Sequence, residues 1–241
     1  MSMPVMRLDK LISNSGLAQR SQVKRLVREG RITVNGVAAA DAAMHCDTAW
    51  DIRLDGQPAF WREFLYLMMN KPAGYLSVTE DSSRPTVLDL MTPEYRRFNP
   101  FSVGRLDMDS EGLLILTNDG AFCHRVISPK SGIRKEYWIQ VSHPFPEGAE
   151  QRFAEGIRLD DGSLCLPAKL TCGPDRTEAV VCIREGKYHQ VKRMALAEGT
   201  RVRYLKRLSI GGLRLDPALA PGEYRELTET ELRSVENTDM A

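Results

Sequence analysis

The sequence predicts an α+β fold in two parts, and three observations lead there. Helical and strand signals do not alternate strictly, which disfavours a doubly wound parallel sheet. The first sixty residues carry two helical patterns and then short strands, a small unit by themselves. After a connection running from Gln57-Pro58 to Arg62-Glu63, about 170 residues remain, enough for a second hydrophobic core. The domain boundaries expected are 6–60 and 64–235.

In the first part, Leu8, Leu11 and Ile12 have i, i+3, i+4 spacing, and Gly16 offers a left-handed stop. A second helix is expected from Ser21, an N-cap candidate, with Val23, Leu26 and Val27 facing inward. Arg20, Lys24, Arg28 and Arg31 then share one exposed stripe, able to contact successive phosphates without reading bases. Ile32–Val37 reads as a hairpin around Asn35-Gly36. Trp50, Ile52 and Leu54 alternate ahead of Asp55-Gly56, a further strand and turn.

In the second part, Phe64–Met69 is an apolar run ending at Asn70-Lys71-Pro72. Leu113–Thr117 is a strand closed by Asn118-Asp119-Gly120, and Tyr137, Ile139 and Val141 alternate. Asp161-Gly162 and Ala179–Ile183 predict a turn and another strand. Helices are expected over Ala121–Ile127, Glu147–Glu155 and Lys187–Glu198. A last helix should follow Thr228, which forms a capping box with Glu231.

The 241 residues are 42% hydrophobic and 27% charged, which excludes global disorder. A net charge of +1 reads against a polyanion partner, but its distribution reverses that. Between Arg7 and Gly36 the net is +5; between Gly186 and Arg214 it is +7; the remainder is acidic. Two basic surfaces on an acidic body suit a nucleic acid, although solvated charge alone produces such runs.

The longest stretch free of Asp, Glu, Lys and Arg is Tyr137–Pro146, too short to span a bilayer. The opening MSMPVMRLDKL lacks the apolar region of a signal peptide, so a cytoplasmic protein is expected. Five scattered cysteines without a CxxC pair predict reduced thiols, neither a disulfide frame nor a zinc site, and no metal.

No glycine-rich phosphate loop, HExxH or GxSxG is present. The segment that stands out is Val103–Leu114, VGRLDMDSEGLL, with three carboxylates, one arginine and flanking glycines ahead of an apolar strand. Glycine lets backbone approach a ligand closely, and a loop carboxylate can act as a nucleophile. The same spacing also fits an Asp-rich turn before a strand.

MRLDKLISNSGLAQRSQVKRLVREGRITVNG resembles the alpha-L RNA-binding domain, named after ribosomal protein S-four. GRLDMDSEGLLILTNDG is similar to the catalytic motif of RNA pseudouridine synthases. Asn70-Lys71-Pro72-Ala73-Gly74, Lys135-Glu136-Tyr137 and Glu185–Met194 (EGKYHQVKRM) resemble that family's other motifs, in its order. The resemblance runs from about Met6 to Val235. EGxYHQVKRM and the ending Ala220–Arg225 favour the RsuA group, the bacterial small-subunit rRNA pseudouridine synthases.

The resemblance implies a mixed, mainly antiparallel sheet in the larger domain and isomerisation of uridine within 16S rRNA, without a cofactor. It makes Asp107 the essential carboxylate, attacking C1′ or assisting base departure by deprotonation at C2′. Lys192 is its implied basic partner, and Tyr137 the aromatic that covers the uracil. If Lys187–Glu198 is a helix, His189, Lys192 and Arg193 share one flank. A solvated basic helix and a core tyrosine remain the plainer alternatives.

Substrate contacts are expected from Arg105, Asn70, Lys71, His189 and Arg193, and RNA docking from Arg7, Arg20, Lys24, Arg28 and Arg31. Arg105 could fill the space left by the flipped nucleotide or contact a phosphate. Ser110-Glu111 departs from the threonine pairs of many relatives. The implied partner is 16S rRNA or an assembling small subunit, met by a monomer with no membrane association. The alternatives are the same reaction on 23S rRNA and a non-catalytic RNA-binding or ribosome-assembly factor.

Overall fold

The computed structural model describes residues 5–59 and 63–237. They form two compact units. One comprises the chain up to Leu65 together with Thr92–Asn99; the other comprises Tyr66–Met91 and the chain from Pro100 onward. The excursion Thr92–Asn99, with its helical turn Pro93–Arg96, therefore interrupts the second stretch and groups with the first unit.

In the first unit, the helices Leu8–Ser15 and Arg20–Arg28 pack Leu8, Leu11, Ile12, Val23, Leu26 and Val27 over Ile32, Ile52 and Leu54. Gly16 ends the first helix at φ +72°. A Cβ there would also collide with the Arg97 guanidinium, so glycine serves both the stop and the packing. The second helix begins before Ser21. The Gln22 side chain accepts the Gln19 N–H at 3.0 Å, placing the cap at Gln19 and correcting the Ser21 assignment.

The strands Ile32–Val34 and Val37–Ala38 form the expected hairpin, with Asn35 and Gly36 both at positive φ. Ile52–Leu54 pairs with Ile32–Val34 on one side and with Gln57–Pro58 on the other. Gln57–Pro58 is thus an edge strand, where a proline costs no ladder bond, and not the start of a linker. The rest of the predicted connection, Phe60–Arg62, lies outside the described residues.

The second unit is built on a nine-stranded sheet. Its main path runs Lys169–Cys172, Glu178–Ile183, Lys135–Val141, Val202–Ile210, Glu111–Thr117, Tyr66–Lys71, Tyr224–Glu226. All pairings are antiparallel except that between Val202–Ile210 and Glu111–Thr117. At this parallel pair Gly112 sits at φ +101°, and a Cβ would lie 2.3 Å from the Arg207 carbonyl oxygen. Gly112 therefore serves strand-to-strand approach and not ligand approach.

The apolar run expected at Phe64–Met69 is displaced: the strand is Tyr66–Lys71, because Asn70 and Lys71 pair with Leu113 and Gly112. One core lies around Ile139, Val181, Phe145, Phe153, Met194 and Leu205, another around Met68, Leu113, Ile115, Phe122 and Val126. The helix Gly120–Ile127 is N-capped by Asp119, which accepts the Phe122 N–H at 2.9 Å. Thr228 and Glu231 form the expected capping box on Glu229–Ser234. Among the described residues, no helix is long and apolar enough to cross a membrane.

Candidate active site

The segment Val103–Ser110 is a loop between the strands Phe101–Ser102 and Glu111–Thr117. Gly104 turns it at φ +74°. The loop ends where the Ser110 N–H meets the Asp107 carbonyl at 3.1 Å. Asp107 stands at its tip with 31% of its side chain exposed, open enough for a ligand and close enough to the protein to be held.

Lys192 Nζ lies 2.8 Å from Asp107 Oδ2 and 2.6 Å from Asp109 Oδ1. Burial works to lower the Lys192 ammonium, but the bonds to Asp107 and Asp109 outweigh it and raise its pKa. Burial likewise works to raise Asp109, and the Lys192 hydrogen bond and charge hold it below the usual carboxylate range. His189 Nε2 is 3.3 Å from the other oxygen of Asp107. Each Asp107 oxygen therefore faces one nitrogen from the same short segment.

That segment is not folded as the spacing predicts. The helix is Gln190–Ala197, and His189 precedes it in the left-handed region at φ +49°. The Gln190 side chain accepts the Lys187 N–H at 2.9 Å and donates to Glu185 at 2.8 Å, so it closes a turn instead of a helical first turn. His189 and Lys192 still converge on Asp107. Arg193 does not: its guanidinium is held by Asp160 and Asp161, and it is withdrawn from the expected substrate contact. Nor does the basic block from Gly186 to Arg214 line the site as a whole, since Lys187 bonds the Leu164 carbonyl and Arg214 faces Glu136.

Asn70 and Lys71 end the strand Tyr66–Lys71. Both are buried, and their side chains are taken up by backbone. Asn70 donates to the Leu219 carbonyl at 2.8 Å. Lys71 Nζ donates to the carbonyls of Pro72, Asp107, Met108 and Ser110 at 3.0, 3.0, 3.4 and 2.7 Å. Burial lowers the Lys71 pKa to about 8, against the opposing pull of Asp109, Glu111 and Asp107. These two residues shape the loop from below.

Three further supports were not visible in the sequence. Ser77 Oγ donates to the Leu106 carbonyl at 3.0 Å and accepts the Leu106 N–H at 3.2 Å. Buried Arg207 bonds the Leu113 carbonyl at 2.7 Å and the Arg105 carbonyl at 3.5 Å, bracing both flanks of the loop. Glu111, the departure noted above, accepts the Tyr204 hydroxyl at 2.6 Å. No sequence signal marks these contacts, because each joins residues at least 29 positions apart.

Tyr137 is 8% exposed and lies opposite Val181 and Arg207 on the neighbouring strands. It belongs to the core cluster that includes Leu106, the residue before Asp107. Arg105 is exposed, and its side chain has no ion pair among the described residues.

On the first unit, the basic stripe divides. Arg7 and Arg20 both pair with Asp9, at 2.8 and 3.3 Å, and Arg7 first and foremost lowers Asp9 to about 2. Arg31 lies beyond the helix end and bonds Asp55 at 2.9 and 2.6 Å, so it leaves the predicted stripe. Lys24 and Arg28 remain exposed, without an ion pair among the described residues.

Comparison with known proteins adds the family. The sequence profile of RNA pseudouridylate synthase matches residues 65–197, and that of the S4 domain matches residues 6–48. A Bacillus subtilis (strain 168) protein called uncharacterized RNA pseudouridine synthase YtzG is 49% identical over 231 residues, covering 94% of this chain and 97% of its own. Ribosomal small subunit pseudouridine synthase A of Escherichia coli (strain K12) is 40% identical over 232 residues, covering 95% of this chain and 100% of its own. A crystal structure of a pseudouridylate synthase, 36% identical, superimposes with a TM-score of 0.68 over 95% of this chain and 99% of that one.

Proposed function

This chain belongs to the RNA pseudouridine synthase family, and from that premise we propose that it converts a uridine of 16S rRNA to pseudouridine, with Asp107 acting on the ribose. In that reaction the C1′–N1 bond breaks and a C1′–C5 bond forms. C5 loses a proton and N1 gains one, so reactant and product have the same atoms.

The observation that carries the reading is the Asp107–Lys192 pair at 2.8 Å, set at the tip of a loop whose carbonyls are tied down from below. An aspartate held this way meets the sugar without reorganising at the moment of reaction. Lys192 supplies the compensating charge, and His189 limits the rotation of the carboxylate. Tyr137 would pack against the uracil face, a contact worth about 1–3 kcal/mol. Arg105 would enter the space vacated by the extruded nucleotide. The S4 unit would dock structured RNA through Lys24, Arg28 and Arg20. Domain boundaries of 6–60 and 64–235 belong to the same reading, as does a cytoplasmic monomer meeting 16S rRNA free or in an assembling small subunit.

The test is release of tritium from C5-labelled uridine on separate 16S and 23S transcripts. Wild-type protein should act on 16S rRNA, and Asp107→Asn should bind RNA and release nothing. Release from 23S rRNA alone would move the target, and full activity of Asp107→Asn would overturn the role of the carboxylate.

A further inference from the structure

Tyr188 is the most exposed large apolar side chain among the described residues, at 76%. An aromatic ring in water is unusual enough to need a reason when it stands beside a reactive carboxylate. One face of its ring is already stacked on His189, with centroids 3.8 Å apart and planes 20° from parallel. The His189 ring in turn reaches Asp107 Oδ1 through Nε2 at 3.3 Å. Carboxylate, imidazole and phenol are thus three consecutive members of one contact chain, and its outer end is a bare aromatic face.

The loop carrying Tyr188 is braced. The Lys187 N–H bonds Gln190, Gln190 bonds Glu185, and Glu185 accepts the Leu166 N–H at 2.9 Å. The left-handed backbone at His189 turns both rings to the same side. A stacking surface held in place before binding loses little entropy on binding.

We propose that the outer face of Tyr188 stacks on a base of the substrate RNA adjacent to the uridine at Asp107. This rests on the functional reading above and adds a binding residue to it. The ligand chemistry is a nucleobase of an unpaired strand: every base has a π face, so an aromatic platform accepts any of them, and extruding one nucleotide unstacks its neighbour. The partly stacked Tyr188–His189 pair then extends by one more plane. Exposed Arg105, on the Asp107 loop, offers a cation for the intervening phosphate.

The experiment uses the full-length protein and a single-stranded RNA heptamer with a central uridine flanked on both sides by 2-aminopurine. Fluorescence titration reads affinity and stacking without turnover. Wild-type protein should quench the probe. Tyr188→Ala should abolish most of the quenching and weaken binding about tenfold. Tyr188→Phe, which keeps the ring, should retain both. Unchanged quenching and affinity in Tyr188→Ala would overturn the proposal, and so would their loss in Tyr188→Phe. Because the signal does not depend on isomerisation, a protein that stacks the probe but releases no tritium refutes the reaction and leaves the platform standing.

Discussion

The Lys71 ammonium, fully buried, lies 3.0 Å from the main-chain carbonyl of Asp107. Through it and three neighbouring carbonyls, one side chain sets the height and tilt of the loop that presents the carboxylate. Four carbonyls converging on one point form a cation site, and Lys71 is the cation that fills it.

Replacing Lys71 with Met should therefore cost stability and activity together, since four carbonyls lose their donor, one of them in a fully buried bond. The pH dependence has a defined sign. Lys71 titrates near 8 in the folded protein and near 10.5 when unfolded, so between these values the unfolded chain binds more protons. Stability from this group rises with pH across that window, by a total on the order of 3 kcal/mol. Urea titrations from pH 7 to 11 should show the rise in wild type relative to Lys71→Met. Parallel curves would refute it.

Lys192 holds two carboxylates, so Lys192→Met should deprive Asp107 and Asp109 of their shared cation. Tritium release should fall about a hundredfold or more, as for loss of a preorganised electrostatic partner. Lys192→Arg should recover part of it. Asp109, held below the ordinary carboxylate range, gives stability that is present above about pH 4 and lost as the pH falls. In Lys192→Met its titration, followed by NMR of the carboxyl carbon, should move upward. An Asp109 curve unaffected by the substitution would contradict the pairing.

The first unit's cations should differ in their effect on RNA. Lys24 and Arg28 are exposed without ion pairs among the described residues, whereas Arg31 is engaged by Asp55. Lys24→Gln with Arg28→Gln should lower the slope of log affinity against log salt by about 1.5. Arg31→Gln should change it by less than either. Filter binding of a 16S rRNA fragment at several salt concentrations measures both. A larger effect from Arg31→Gln would show that its pairing with Asp55 opens on RNA.

Much of the local structure was legible because local rules governed it. The i, i+3, i+4 spacing at Leu8, the Asn35-Gly36 turn and the Thr228–Glu231 capping box depend on residues within a turn of each other. The candidate site was only partly legible in its arrangement. Asp107 and Lys192 do meet, but Arg193, one position on, turns to Asp160 and Asp161. Lysine and asparagine are usually exposed, so residue type alone gives no sign that Asn70 and Lys71 are buried. The strand Tyr66–Lys71 carries them inward, where buried carbonyls await them.

Sequence by itself determined the two-part α+β organisation, the ordered motifs and the uneven charge, because composition and short-range spacing act before any long-range contact forms. The tertiary structure decided which charges are free and which are used. Lys71, Arg193, Arg207 and Arg31 are all basic residues, yet each has a partner 24 to 94 positions away. An ammonium or guanidinium already held by a carboxylate or carbonyl of the same chain must give up that contact to act on RNA, and folding sets the terms of that competition.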